Sequence, residues 1–471
     1  MSKIIIQNGN MCELDLPLKF AQKLYNEFAI RHPNAFYLRT RQRGMQNWDG
    51  KIHYITKTGQ FKIGLLPKVY DMCIEMGIKP KVVDMRQPLP KVSKVVTNIG
   101  KYKLRPEQEK AVKAVINNKI GNTPFHIGVL DYTVNAGKTL IMSSLYLSYK
   151  KQLKTLLITN DSDWLNQARE EFKQYLPGED ITFVQGKVLN WSNFTIGMVQ
   201  SISRNMRFYQ KELSQIDMVL IDEADQGGSK QYQNVITRLF NTRIRIGLSG
   251  TIYMSKLAKD RVKNMNLECF FGKVIAEFKL KDSIKKGYST KTVVKMVPGK
   301  PWYGNWESDC ISYKEIYDDS ITNCYTAWLM AYNRLLWNLN QGRYPALVVC
   351  KHIAHCENLY KFFKKKLGDA YNIAYVHVNT PSKLRQQIMK DFREGKIDIL
   401  VSTTIIARGK NFPKLRYLLN AASMDSQEKS IQFLGRLVRT DKSKKKVYLD
   451  DLHYPGPYLD RHGKHRKQYY Q

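Results

Sequence analysis

Short apolar runs alternate with segments of helical spacing along most of the chain. Residues 125–130, 155–160, 194–201, 218–221 and 246–251 are runs of strand length, and the segments after 139 and 163 repeat apolar residues at helical intervals. Strands alternating with helices predict one doubly wound α/β domain over about residues 105–255. The alternation returns with apolar runs at 346–350, 373–377 and 397–404, which predicts a second domain of the same class. The run 194–201 turns polar at Gln200 and Ser201, and strand ends of this kind face the ligand crevice of an open α/β sheet.

The first 95 residues read differently. Residues 4–6 predict a strand, 20–28 a helix and 52–55 an alternating strand, together a small α+β domain. Arg39, Arg41 and Arg43 stand at alternate positions and would share one side of an extended segment. With Trp48 and Lys51 beside them they could follow a phosphate backbone and stack on a base. A solvated edge strand with Trp48 in a small core is the plainer reading of the same residues. Pro80, Pro88 and Pro90, set among lysines over 79–100, read as a linker.

Candidate chemistry sits at two strand ends. The strand at 125–130 runs into Val134-Asn135-Ala136-Gly137-Lys138-Thr139, and a helix can follow. Strand, tight loop, Gly-Lys-Thr and helix is the layout of a phosphate-binding loop: backbone N–H groups at a helix start converge on phosphate oxygens, and the helix dipole favours their charge. Lys138 would reach the outer phosphates and the Thr139 hydroxyl would hold magnesium. Tyr132 occupies the place of the first glycine of that pattern, and Asn135 takes a position often held by glycine, which Asn fills because it tolerates left-handed backbone angles. The second strand end is Asp222-Glu223-Ala224-Asp225 after 218–221. Asp222 is placed to hold magnesium and Glu223 to orient or deprotonate an attacking water. A solvated lysine turn and an acidic loop are the plain alternatives for each stretch alone; their occurrence together, some 80 residues apart, favours the chemistry.

Charge adds a partner. The 471 residues hold 76 Lys and Arg against 41 Asp and Glu, a net +35 spread along the chain, and such an excess attracts nucleic-acid phosphates. Seven cysteines without a C-x-x-C pair suit a reducing compartment. No apolar run approaches the ~18 residues of a membrane span, and no signal-peptide build opens the chain. The expectation is a soluble, cytoplasmic protein, host-cell cytoplasmic if it comes from a phage, with no membrane partner.

In chain order, Gln108, Gly137-Lys138-Thr139, Asp222-Glu223-Ala224-Asp225, Ser249-Gly250-Thr251, Thr403 to Gly409, and Gln432-x-x-Gly435-Arg436-x-x-Arg439 resemble the motif series of superfamily-two helicases over residues 100–450. The Asn47-Trp48-Asp49-Gly50-Lys51 stretch further resembles the phage UvsW-type helicases, which remodel branched DNA. The resemblance implies two RecA-like doubly wound parallel-sheet domains, at 96–280 and 281–455, after an N-terminal DNA-binding domain at 1–95 and before a basic, mobile tail at 456–471. It implies an ATP and Mg2+ site built from Gln108 (on the adenine edge), Asn135, Ala136, Gly137, Lys138, Thr139, Asp222 and Gly409, with Glu223, Gln432, Arg436 and Arg439 serving hydrolysis. The two arginines, three apart, would share one helical face. It also implies contact of Gln200, Ser201, Thr403 and Thr404 with a nucleic-acid backbone, which positions without reading sequence. Asn411 and Val378 depart from residues common in relatives, Asp and Gly respectively.

The function implied is an ATP-dependent DNA helicase or translocase acting as a monomer on branched or forked DNA, in fork regression or branch migration. An RNA helicase, or a nucleic-acid-binding scaffold that binds ATP without turnover, are the alternatives. Cys350, His352, His355 and Cys356 look like a metal cluster, but they straddle a strand end and the following helix in a spacing that fits no common zinc module. The aromatic stretch 297–310 reads as a packed linker, with a base-stacking wedge as its functional alternative.

Overall fold

The computed structural model describes residues 2–41, 44–149, 152–160, 162–188, 190–253, 260–299, 312–407, 412–441 and 444–470. The chain divides into two compact units, Met1–Lys279 and Leu280–Gln471. No helix among the described residues is long and apolar enough to cross a membrane.

The first unit opens with β1 (Lys3–Ile6) and β2 (Met11–Asp15), an antiparallel pair whose inward residues Ile4, Ile6, Cys12 and Leu14 are buried. There follow α1 (Leu18–Glu27), β3 (Ala29–Arg31), α2 (Ala35–Arg41), β4 (Lys51–His53), β5 (Gln60–Lys62), α3 (Leu66–Glu75) and β6 (Lys81–Asp84). The sheet order is β5-β2-β1-β6, with β6 parallel to β1. Two expectations are corrected here. The 39–43 segment is not extended: Arg39 and Arg41 lie on α2, where residues two apart diverge around the helix instead of sharing a side. Arg43 lies outside the described residues. The stretch after 79 is not all linker either, because Val82 is buried in β6 and completes the small sheet.

Two short hairpins, β7 (Asn98–Ile99) with β8 (Tyr102–Lys103) and β9 (Lys119–Ile120) with β10 (Thr123–Pro124), flank α4 (Pro106–Ile116). The parallel sheet then builds through β11 (His126–Tyr132), α5 (Lys138–Ser148), β12 (Thr155–Thr159), α6 (Ser162–Tyr175), β13 (Ile181–Val184), β14 (Phe194–Met198), α7 (Val199–Arg204), α8 (Gln210–Ser214), β15 (Met218–Asp222), α9 (Lys230–Ile236), β16 (Ile244–Ser249), α10 (Arg261–Phe271) and β17 (Val274–Phe278). Its order among the described residues is β13-β14-β12-β15-β16-β11-β17. The central strands are buried along their length, as continuous apolar runs covered on both faces must be. The N-terminal sheet and this sheet share one continuous core, so residues 1–95 are not a free-standing body within the unit.

The second unit holds α11 (Leu280–Lys285), β18 (Lys291–Pro298), α12 (Tyr313–Tyr317), α13 (Tyr325–Asn340), β19 (Ala346–Cys350), α14 (Ile353–Leu367), β20 (Ile373–Val376), α15 (Ser382–Glu394), β21 (Ile399–Thr403), β22 (Tyr417–Asn420), α16 (Gln427–Leu437), β23 (Lys446–His453) and α17 (Leu459–Tyr469). Its strands pair in parallel in the order β18-β23-β22-β19-β21-β20. Both units are RecA-like doubly wound sheets. The expected mobile tail is instead α17. Its Arg466 is fully buried and meets Asp451 of β23 at 2.9 Å, while Tyr470 and Asn420 donate to the same carboxylate. Cys350, His355 and Cys356 are core residues of this unit, with the Tyr317 hydroxyl 3.1 Å from His355 Nδ1.

Candidate nucleotide site and polar strand ends

The loop after β11 is shaped by two positive φ angles, 63° at Asn135 and 74° at Gly137. Gly137 is the residue before α5, so Lys138 and Thr139 begin the helix, where geometry leaves N–H groups without intrahelical acceptors. A Cβ at Gly137 would lie 2.2 Å from Gln108 Nε2, so this position needs glycine for space as well as for backbone angle. The sequence expectation for Asn135 holds in its geometry: it carries the left-handed angle.

α4 braces the loop from one side. Gln108 is fully buried; its Oε1 accepts the Arg105 N–H at 2.8 Å and its Nε2 donates to the Ala136 carbonyl at 2.8 Å. Arg105 Nη2 donates to the Asn135 carbonyl at 2.9 Å. Both amide atoms of Gln108 thus bond within the protein and brace the loop in this structure. Arg105 was missed in the sequence, where it reads only as the residue before a helix-starting proline. Tyr132, at the vacant glycine position, ends β11 with its ring buried and its hydroxyl donating to the Glu107 carbonyl at 2.8 Å. Lys138 Nζ lies 3.3 Å from the Tyr132 carbonyl, back along the strand end.

The carboxylates stand two strands away on the same edge of the sheet. β16 lies between β15 and β11, with Asp222 level with Leu248 and Asp131 level with Ser249. Asp222 ends β15 and is buried; Glu223 follows with a left-handed φ of 51°. Asp225 accepts from the Ser249 hydroxyl at 2.7 Å, and that hydroxyl also accepts the Thr251 N–H at 3.1 Å. A Cβ at Gly250 would sit 3.0 Å from Thr133 Cα, so the turn after β16 touches the start of the loop. Beneath the loop, burial raises the Asp131 carboxyl above its usual range, opposed by an ion pair with Lys279.

This arrangement matches known families. Residues 101–254 match the family model described as type III restriction enzyme, res subunit, and residues 329–441 match the helicase conserved C-terminal domain. The chain belongs to the ATP-dependent helicases of superfamily two. It is 22% identical over 452 residues to the ATP-dependent DNA helicase UvsW of Enterobacteria phage T4, covering 86% of this chain and 82% of that one. It is 23% identical over 385 residues to a protein named as helicase 22 of Sulfolobus islandicus filamentous virus, covering 75% of this chain but 64% of the relative, less than two thirds of its length. The fold is also similar to the ATP-dependent type ISP restriction-modification enzyme LlaBIII bound to DNA, with a TM-score of 0.55 and 15% identity over 78% of this chain and 29% of that one.

The other helicase residues expected at the sites fall into separate places. Gln200 and Ser201 are not a strand end: β14 stops at Met198 and both sit on α7. Gln200 Nε2 donates to the Asn160 carbonyl at 3.2 Å, and Ser201 Oγ accepts the Gly186 N–H at 3.1 Å. In the second unit, Thr403 ends β21 and Thr404 begins a short turn whose hydroxyl lies 3.4 Å from Lys429 Nζ. The Lys351 ammonium stands 3.9 Å over the Tyr313 ring, its pKa lowered by burial and by Lys429. Gln432 and Arg436 lie on α16, but the helix ends at Leu437, so Arg439 is beyond it and the shared helical face is not formed. The Arg439 carbonyl accepts from the Thr290 hydroxyl at 3.3 Å. Gly409, Asn411 and residues 300–310 of the aromatic stretch lie outside the described residues.

Among the N-terminal residues, Trp48 is held rather than free: its Nε1 donates to the Lys51 carbonyl at 2.9 Å and its ring meets His32 edge-on. The aromatics offered to solvent are Phe36, 79% exposed, and Tyr37, 56% exposed, both on α2. Arg41 lies over the Tyr37 ring at 5.2 Å, and a groove of about 540 Å3 beside Phe36 is lined by Arg31, Arg39, Thr40 and Lys51, with the Asp49 carboxylate among them. Tyr37 and Arg41 at i, i+4 were the available signal, legible only once the segment is taken as helical.

Proposed function

We propose that this chain is an ATP-driven DNA helicase or translocase that remodels branched DNA by fork regression or branch migration, in replication, recombination or repair. The observation that carries the reading is the placement of the Asn135–Thr139 loop and the Asp222–Glu223 pair on one edge of one sheet, with β16 alone between their strands. The donor set fits a magnesium nucleotide: an ammonium at Lys138, a hydroxyl at Thr139 and two carboxylates, with the loop turned at Gly137, where a Cβ would strike Gln108. Thr139 and Asp222 would hold the metal, which supplies charge neutralisation at the phosphates. Asn135, Ala136 and Gly137 shape the cradle, Glu223 orients water, and Gln432, Arg436 and Arg439 carry the second unit's part in hydrolysis.

DNA as the substrate is supported by the net charge of +35 and by the similarity to a relative named as a DNA helicase across 86% of this chain. Gln200, Ser201, Thr403 and Thr404 are assigned to backbone contact. α2, with Arg39, Arg41 and the exposed Phe36 and Tyr37, is assigned with Lys51 to a further DNA contact in which rings stack and cations pair with phosphate.

The test is ATP hydrolysis at one fixed salt with single-stranded, duplex and forked DNA and with RNA. Forked DNA is expected to stimulate most, and Lys138→Ala to abolish hydrolysis while leaving DNA binding within about twofold. Stimulation by RNA alone would overturn the substrate; full hydrolysis by Lys138→Ala would overturn the site.

A further inference from the structure

Arg245 lies near the start of β16, a central strand of the first parallel sheet, and its side chain is fully buried. A buried guanidinium is ordinarily matched to a carboxylate. The oxygens it meets here are different. Nη2 donates to the Gly9 carbonyl at 2.6 Å and to Asn10 Oδ1 at 2.8 Å, and Nη1 donates to the Phe270 carbonyl at 3.2 Å. Gly9 and Asn10 form the turn between β1 and β2, more than 230 residues earlier in the chain. Burial, with Arg86 nearby, pulls the guanidinium down to about 9.

The turn is cut to fit this place. The Gly9 N–H donates to the Phe240 carbonyl at 2.6 Å, and a Cβ on Gly9 would lie 2.5 Å from the Leu239 carbonyl oxygen and 2.8 Å from that of Thr242. Asn10 Nδ2 donates to the Thr237 carbonyl at 3.2 Å. Arg86, just past β6, donates to the Thr242 carbonyl at 3.2 Å. Gly64, before α3, would place a Cβ 2.1 Å from the Glu268 carbonyl oxygen. At Gly9 and at Gly64 the N-terminal segment therefore approaches backbone to backbone, and bonds from Tyr54 to Asn266 and from Lys68 to Glu268 join it to α10 as well. At its other end β16 carries Ser249, which holds Asp225 of the carboxylate turn.

We infer that Arg245 is a positioning residue that locks the N-terminal sheet to β16, so that this sheet, from which the segment bearing α2 extends between β2 and β5, and the ATP-binding sheet move as one body when DNA is worked on. A DNA strand gripped at α2 is then pulled by the first ATPase unit itself, not through a swivel. The inference rests on the helicase reading for its consequence, but the lock is read out without it.

Arg245→Met keeps the length and apolar stem while removing every donor. Asn10→Ala trims the turn alone and serves if Arg245→Met folds poorly. In the full-length protein, backbone amides of residues 3–15 are expected to exchange hydrogen at least tenfold faster in either variant, with the amides of β12 and β15 unchanged. Hydrolysis stimulated by single-stranded DNA should stay within twofold of the parent, while base pairs of forked DNA unwound per ATP should fall at least fivefold. Unchanged exchange over residues 3–15 in both variants would overturn the lock. Faster exchange with undiminished unwinding per ATP would overturn its role. If the parent protein hydrolyses no ATP with any DNA, the helicase reading fails, and the exchange experiment still decides whether Arg245 is the lock.

Discussion

The Tyr132 hydroxyl donates to the Glu107 carbonyl across 25 residues of chain, joining the end of β11 to the first turn of α4. A residue that looks like damage to a phosphate-loop pattern is thus a strut. Tyr132→Phe is expected to cost about 1 kcal/mol of stability, the net worth of one hydrogen bond, and to leave hydrolysis within about twofold. Tyr132→Gly, which restores the pattern, should instead cost at least ~3 kcal/mol through the cavity left by a fully buried ring. Urea unfolding of the three proteins checks both; a Tyr132→Gly variant as stable as the parent would contradict the strut.

Gln108 holds the same loop from α4, with one amide atom on Arg105 and the other on Ala136. Removing it leaves the Ala136 carbonyl without this donor and loosens the cradle around Gly137. Gln108→Ala is expected to raise KM for ATP about tenfold, equivalent to ~1.4 kcal/mol, with kcat changed less than threefold. Steady-state ATPase kinetics separate the two parameters. A tenfold fall in kcat at unchanged KM would place Gln108 with the reacting groups rather than with the loop.

The parallel sheets were legible because their signal is local. Runs such as 218–222 are apolar on both faces, and no alternative element of five residues buries them so well. The Lys138–Thr139 and Asp222–Glu223 ends came with the strands, since a parallel sheet sends successive strand ends to one edge. The α2 segment was misread because three arginines at alternate places imitate a strand period, and the helix is set by the burial of Ala35 and the packing around it. Arg439 was placed on a helix that stops two residues earlier, and boundaries of that kind depend on the cap and not on the periodic residues. The lock at Arg245 and the tail helix escaped notice for a different reason. Each depends on partners distant in the chain, Gly9 and Asn10 in one case and Asp451 in the other, and neither pairing leaves a periodic trace.

α17 illustrates the energetic cost of such a pairing. Its residues are largely charged and would not form a core by themselves, yet Arg466 and Asp451 are both fully buried. Arg466 also donates to the Met424 and Leu452 carbonyls at 3.0 Å. Arg466→Met would strand the Asp451 carboxylate with only Asn420 and Tyr470 as its remaining named donors, and is expected to cost ~3–5 kcal/mol. Differential scanning calorimetry should show the loss, and removing residues 459–471 should be at least as damaging. A tail that could be cut without a change in unfolding temperature would contradict the packing.

His355 predicts a dependence on pH. It is fully buried in the second unit, and burial, with His352 adding to it, pushes its imidazole down to about 3 from an ordinary 6.5. The Tyr317 hydroxyl, 3.1 Å from Nδ1, can donate to the neutral ring. In the unfolded chain the same imidazole takes up a proton below pH 6.5, whereas in the folded chain it stays neutral until about pH 3. The unfolded state binds the extra proton, so stability falls as pH drops through this window, by ~1.4 kcal/mol per unit once well below 6.5. Between pH 7 and 5 the parent should therefore lose roughly 2 kcal/mol through this residue. His355→Gln removes the titration while keeping a polar side chain beside Tyr317. The difference between parent and variant in urea-unfolding free energy should shift by that amount between pH 7 and 5, a range above most carboxylate titration. An equal loss in both proteins would mean that His355 titrates as it does in water.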